Sequence, residues 1–385
     1  MKTVLPDRTD VLVIGGGVIG TSIACHLAES GVGTVLLERG TLGSGASAAT
    51  AGVVRTYFPG DARTGSLAVR STQAYHAFAE RTGTPLGLER VGFLVLFTEE
   101  RQVEEFRRDQ AAQRAAGVDV ELVSAAEAAR LNPLLDERSI LAAAWSPEAY
   151  SCDPAAIVRG YAAAAQEAGA VLRTETPVTG IDLDGRVHTP AGSILAETVV
   201  CAAGPWSGTV AAMAGVDLPV APDPIELLLT DPPAAGPASA ALPMTLHPSS
   251  LRIRTWKDRL LVGMGRPGPD ESRKEWLRRL SDQLGTTYPA LAGIRVHRGW
   301  SGSLDASPDG AAFIGRDPAR PFVYAAGFSG QGLCQAPAAG EIVRDLLAGK
   351  QSWTDTAGLS ADRFTIGTAQ PAQSAQSASK RRKTP

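Results

Sequence analysis

The sequence is short of the features that usually announce a partner. Its 385 residues carry a formal net charge of only −3, from 37 basic and 40 acidic side chains. Such a balance gives no general reason to expect a nucleic-acid surface. The longest apolar runs are strand-sized and broken by charge, so no membrane span is expected. Four cysteines (Cys25, Cys152, Cys201 and Cys334) stand apart, without metal or disulfide spacing, which fits reduced thiols in a cytoplasmic protein. Five histidines (His26, His76, His188, His247 and His297) make no cluster, so no metal site is expected. Neither an internal repeat nor a Ser/His/Asp constellation is recognisable. The opening MKTVLPDRTDVLVIGGG holds acidic residues and runs straight into glycines, unlike a secretory leader. What remains is a composition ordinary for a globular protein, 44% hydrophobic and 20% charged, on a chain long enough for two lobes sharing a large core.

Several segments look like parts of an α/β layer. DVLVIGGGVIGTSIACHLAESG is a buried strand, a glycine turn and a helix, and GTVLLERG is a second strand ending in Glu38. The stretch from Asp153 starts a helix, with Asp153 as N-cap and Pro154 at the first helical position, and returns as a strand through TPVTGI. ILAETVVCAAGPWS and PFVYAAGFSGQGLCQAPAAGEIVRDLLAG each carry a strand into a glycine turn. Between these units lie charged helices, a capping box at Ser124 and Glu127, and β-branched runs such as GFLVLF and RLLVGMG, which suit an antiparallel sheet with helices. The expected architecture is therefore α/β plus α+β. A discontinuous Rossmann-type lobe would comprise 1–59, 146–217 and 306–367, and a second, antiparallel-sheet lobe 60–145 and 218–305. The tail at 368–385 is rich in Ala, Gln and Ser and ends in KRRK; it cannot bury a core and reads as disordered and solvated.

The chemistry begins at Gly15, which opens a G-x-G-x-x-G turn directly after a strand and before a helix. Gly15 permits the tight turn, Gly17 brings backbone close to a pyrophosphate, and Gly20 lets helix and strand pack; Val18 and Ile19 sit at the helix N-terminus, whose N–H groups favour an anion. Glu38, about twenty residues on, stands where a ribose-binding carboxylate belongs, with Arg39 beside it. The turn alone does not choose between NAD and FAD. The small-residue loop GSGASAATAG (Ser44, Gly45, Ala46, Ser47, Ala51, Gly52) and the further turns at Ala203-Gly204 and Gly327 suit a longer cofactor running through the protein, and FAD fits better.

On these motifs, together with RVGFLVLF and GWSGSLDASPDGAAFIG, the chain resembles the D-amino-acid oxidase superfamily of FAD-dependent oxidoreductases from about residue 8 to about residue 350. The likeness is to the branch of glycine oxidases, sarcosine oxidases and dimethylglycine or sarcosine dehydrogenases. The resemblance implies that Gly327, Phe328, Ser329, Gly330, Gln331, Gly332 and Leu333 lie against the flavin. Their backbone donors would stabilise negative charge at its pyrimidine end. Gln331 stands where the family often has histidine, and Leu333 where it has phenylalanine. By the same implication Val178 meets the adenine with its backbone, and Trp206 and Gly302 line the cofactor path. Arg55 and Arg254 are the candidate clamps for a substrate carboxylate, since a guanidinium fork binds it at two points. Leu304 and Leu261 depart from the family pattern, the first where relatives have a substrate-binding Arg or Tyr, the second about where sarcosine oxidases have an oxygen-activating lysine. The segment SLDAS lacks the cysteine that attaches FAD in those oxidases, so non-covalent FAD is expected.

The implied activity is oxidation of the C–N bond of an amino acid or secondary amine to an imine, with O₂ or another acceptor reoxidising the flavin. A specialised biosynthetic amine as substrate, or a flavin subunit active only in a heteromeric complex, are the alternatives; an oligomer is compatible with all of these.

Overall fold

The run VLVI at 11–14 has no polar face, which suits a strand covered on both sides. In the computed structural model, which describes residues 5–233 and 241–364, this strand (Arg8–Ile14) is central to a parallel core. Thr34–Leu37 pairs on one side and Gly192–Cys201 on the other; Val171–Arg173 and Phe322–Ala326 extend the sheet, all in parallel register. Antiparallel strands at Gly180–Ile181, Arg186–Thr189 and Phe313–Arg316 complete this eight-stranded sheet. Residues 365–367 of the expected nucleotide lobe and the whole tail at 368–385 lie outside the described residues.

Three helices (Val18–Glu29, Pro154–Glu167 and Gly332–Leu347) cover one face, burying Ile23, Ile157, Tyr161 and Ile342. The first and last are pressed together: a Cβ on Gly340 would lie 2.4 Å from His26 Nδ1 and 2.6 Å from Ser22 Oγ. Pro337 has no N–H for the carbonyl of Leu333, and Tyr75 donates its hydroxyl to that carbonyl at 2.7 Å. Asp153 caps its helix as expected, accepting from Ala155 N at 2.9 Å.

A second eight-stranded sheet runs in the order Val296–Ala306, Ala221–Thr230, Arg259–Gly263, Arg252–Trp256, Met244–Leu246, Phe93–Phe97, Ala142–Ser146, Glu121–Ser124. Its pairings are antiparallel apart from Met244–Leu246 with Phe93–Phe97, which is parallel. Helix Arg273–Thr287 seals one face with Trp276, Leu280 and Leu284, while Val103 and Phe106 from helix Glu100–Ala115 pack on part of the other. Ser124 accepts from Glu127 N at 3.2 Å, the N-cap half of the expected box. A small third sheet joins Val53–Arg55, Ala149–Ser151 and Glu89–Arg90.

One segment differs in placement from the sequence reading. Leu67, Tyr75 and Phe78, from helices Ala62–His76 and Phe78–Thr82, pack into the first sheet's core with Ile23 and Tyr161, although 60–145 was expected in the second lobe. Their apolar stripe matches the closing helix, and that packing decides where they sit. Among the described residues no helix is long and apolar enough to cross a membrane, and no group of His, Cys, Asp or Glu could hold a metal ion.

Candidate active site

The chain leaves Arg8–Ile14 toward one neighbour and later returns on the opposite side, so a crevice opens where the strand order reverses. Gly15 turns there at φ +111°, and a Cβ on it would stand 2.3 Å from Ala202 O. Gly20 is equally constrained, its missing Cβ falling 1.9 Å from Gly15 O. Gly17 caps the opening helix without a side-chain acceptor. Val18 N donates to Ser47 Oγ at 3.0 Å, tying the small-residue loop to the helix N-terminus. Glu38 accepts from Gly16 N (2.7 Å) and Gly40 N (2.8 Å), so the acid after the second strand also fixes the turn. Arg39 stacks 3.5 Å over the Trp206 ring.

From this end a cavity of about 620 Å³ runs between the two large sheets. Its lining gathers Gly15, Gly17, Val18, Ile19, Glu38, Arg39, Ser44, Gly45, Ala46, Ser47, Ala51, Val178, Ala203, Gly204 and Trp206, as well as Arg55 and the stretch Phe328 to Leu333. Gly20, Gly52, Gly302, Gly327 and Arg254 lie just outside the lining. Gly302 lets Ala49 approach, since a Cβ there would be 2.2 Å from the Ala49 Cβ.

Arg254, expected at a substrate carboxylate, is occupied elsewhere. It donates to Ala51 O (2.6 Å), Gly52 O (3.0 Å) and Ser151 Oγ (3.0 Å), and so holds the small-residue loop from behind. These bonds keep the Arg254 side chain out of the cavity lining.

The glycine-rich loop at 327–330 is built around a buried acid. Gly327, Ser329 and Gly330 take φ of +72°, +52° and +84°. Asp305 Oδ2 accepts from Phe328 N at 2.9 Å, Asp305 O accepts from Ser329 N at 3.0 Å, and Ser329 Oγ accepts from Ser307 N at 3.1 Å. Burial pushes the Asp305 carboxyl up to about 6, with the backbone donors of Phe328, Gly327 and Gly330 pulling the other way. Gln331 stands at the N-cap position of the closing helix without a side-chain capping bond; its Oε1 accepts from Gln335 Nε2 at 3.4 Å, and the residue lines the cavity.

The far end is apolar (Phe93, Ile225, Leu227, Met244, Leu246, Leu304) except for two arginines. Arg55 is stacked at 3.9 Å on Phe58 and 4.7 Å on Phe93 and donates to Tyr57 O. Burial lowers its guanidinium to about 10, and neighbouring Arg252 pushes the same way. Arg252 has no hydrogen-bond or ion-pair partner among the described residues. Its side chain has surface open to the cavity yet is hemmed in by protein, and desolvation pulls its pKa down as well. Leu304 packs against Gly330, a Cβ there falling 3.0 Å from Leu304 Cδ2. Leu261 is buried outside the lining.

A family profile described as FAD dependent oxidoreductase matches residues 10–346. The chain belongs to this FAD-dependent oxidoreductase family. It is an enzyme, and the glycine cradle, the carboxylate at Glu38 and a cavity within the roughly 300–1,000 Å³ usual for such ligands fit FAD. The flavoenzyme is 30% identical to a glycine oxidase of Geobacillus kaustophilus over 93% of this chain and 98% of that one. It is 28% identical to mouse mitochondrial dimethylglycine dehydrogenase over 93% of this chain and 44% of that one. Among solved structures, L-proline dehydrogenase from P. horikoshii superposes with a TM-score of 0.85 at 29% identity, covering 94% and 99% of the two chains.

Two residues of the flavoenzyme's site escaped the sequence reading. Arg252 sits two residues before Arg254 in LRIRTW, so the period of two already placed both on one strand face; nothing in the string said which would meet the cavity. Asp305 carried no signal, since its role depends on a loop twenty-odd residues away that only the fold brings to it.

Proposed function

We propose that this flavoenzyme oxidises the C–N bond of an amino acid or secondary amine, giving an imine that water hydrolyses. The observation that carries the reading is the far end of the cavity: an apolar chamber lined by two arginines that have no carboxylate partner among the described residues. When bound, FAD supplies the acceptor for the hydride leaving the carbon next to nitrogen. Gly15 to Ile19 would hold the pyrophosphate at the helix N-terminus, Glu38 the ribose, and the backbone at Val178 the adenine. The N-terminus of the closing helix, with the N–H groups of Gly332 and Leu333, would face the pyrimidine end and favour negative charge there. Arg252 anchors the substrate carboxylate, in the role the sequence suggested for Arg254, and the apolar walls exclude water and favour a neutral amine.

The cofactor is held without a covalent bond. Cys334, the cysteine lining the cavity, is buried, donates to Val53 O at 3.6 Å, and has its pKa raised by burial, so it stays a neutral thiol. The named relatives act on substrates that share an amine near a carboxylate, glycine, proline and dimethylglycine, which supports the same chemical class here. O₂ or another acceptor in the cytoplasm completes the cycle.

The test is anaerobic titration of the purified yellow protein with glycine, sarcosine, dimethylglycine, proline and acidic amino acids, followed at the flavin absorbance band. Bleaching by at least one is expected. A bound flavin that none of them reduces would overturn the proposal in favour of a flavin subunit that needs a partner.

A further inference from the structure

Two arginines line the substrate end of the cavity with no carboxylate paired to either among the described residues. The cavity lining contains two acids, Glu38 and Asp305. Glu38 is committed to Gly16 N and Gly40 N at the opposite end, and Asp305 to the 327–330 loop. Among the described residues neither Arg55 nor Arg252 forms an ion pair. Arginine does not lose its proton near neutral pH, so both remain cations facing an apolar space.

The strands place them as a pair. Arg252 is opposite Leu246, which is beside Val95, and Met244 is beside Phe93, whose ring carries Arg55 on its face. Arg55 itself extends from the separate strand Val53–Arg55, and both arginines line the same cavity. Stacking on Phe58 and Phe93 occupies the faces of the Arg55 guanidinium and orients it, while leaving most of its edge donors free. Arg55, half-buried between aromatic rings, is a charge costly to leave unpaired, and the more open Arg252 adds a second positive charge near it. One carboxylate offsets one of the two positive charges, whereas two carboxylates offset both.

We infer that the substrate is an amino dicarboxylate, an amine whose nitrogen or carbon skeleton carries two carboxylates, one held by Arg252 and the other by Arg55. This rests on the amine-oxidation reading above and narrows it to a substrate class.

The test compares two unreactive thioethers in which sulfur replaces the amine nitrogen, thiodiacetate and (methylthio)acetate, which differ by one carboxylate. Binding to the FAD-loaded protein is read from the perturbation of the flavin spectrum at constant ionic strength. Thiodiacetate is expected to bind at least about tenfold more tightly, the scale of one additional charge-assisted pair. That ratio should fall to near one in Arg252→Met and in Arg55→Met, and keep an intermediate value in Arg252→Lys, which retains the charge but not the fork. Equal binding of the two probes by the wild type, or an undiminished ratio in both Met variants, would overturn the inference. If amines bleach the flavin while the ratio is one, this inference alone fails. If the ratio holds and no amine bleaches the flavin, the dicarboxylate site stands and the oxidation reading fails.

Discussion

Asp305 offers a quantitative check on how the flavin-facing loop is held. Its carboxyl is 8% exposed and its folded pKa is pushed up to about 6 from 3.8. A carboxyl with a raised folded pKa binds more protons in the native state than in the unfolded chain. Its contribution to stability is therefore fully present below the unfolded pKa and is lost as pH rises through the folded pKa, here from about 4 to about 6. Roughly two pH units at about 1.36 kcal/mol each give a loss of about 3 kcal/mol. Asp305→Asn removes the titration while keeping an oxygen to accept from Phe328 N. The assay is urea unfolding of both proteins from pH 4 to pH 7.5, followed by tryptophan fluorescence. Buried His26, held neutral with its pKa lowered to about 3 by burial and by Arg81, acts in the opposite direction over part of this range. Taking wild type minus variant cancels it. The difference should decline by about 3 kcal/mol between pH 4 and pH 7. A flat difference would refute the idea that Asp305 is ionised against its burial.

Two further substitutions probe the cofactor end. Glu38→Ala removes the acceptor for Gly16 N and Gly40 N and should weaken FAD binding by about 2 kcal/mol, roughly thirtyfold, in a flavin-fluorescence titration; unchanged affinity would mean the turn holds without it. Arg254→Met leaves the carbonyl of Ala51 without its donor and removes one of the donors to Gly52 O, and should speed FAD dissociation about tenfold by dilution kinetics. The thioether binding ratio should survive in that variant, and its collapse would return Arg254 to the substrate.

The cofactor end was legible in the sequence because its determinants are local. A strand, a glycine turn and a helix follow each other within twenty residues, and their spacing alone prescribes the tight turn at Gly15, the helix–strand contact at Gly20 and the acid at Glu38. The same locality made Gly327 to Leu333 readable as a strand-to-helix turn. Arg55 was named from the sequence, and the structure puts it in the cavity with the expected loop.

What the string could not supply is the direction of side chains on strands that meet only in three dimensions. In LRIRTW both arginines share a face, but the one nearer the small-residue loop is taken by the carbonyls of Ala51 and Gly52, and its neighbour Arg252 is left for the cavity. Likewise Asp305 became a loop anchor only because Val296–Ala306 delivers it beneath Phe328. The sequence determined the family and the turn that grips the cofactor, since those are written in motifs whose residues lie close together along the chain. The tertiary structure decided which charges face the substrate, because that choice depends on which partners long-range packing has already claimed.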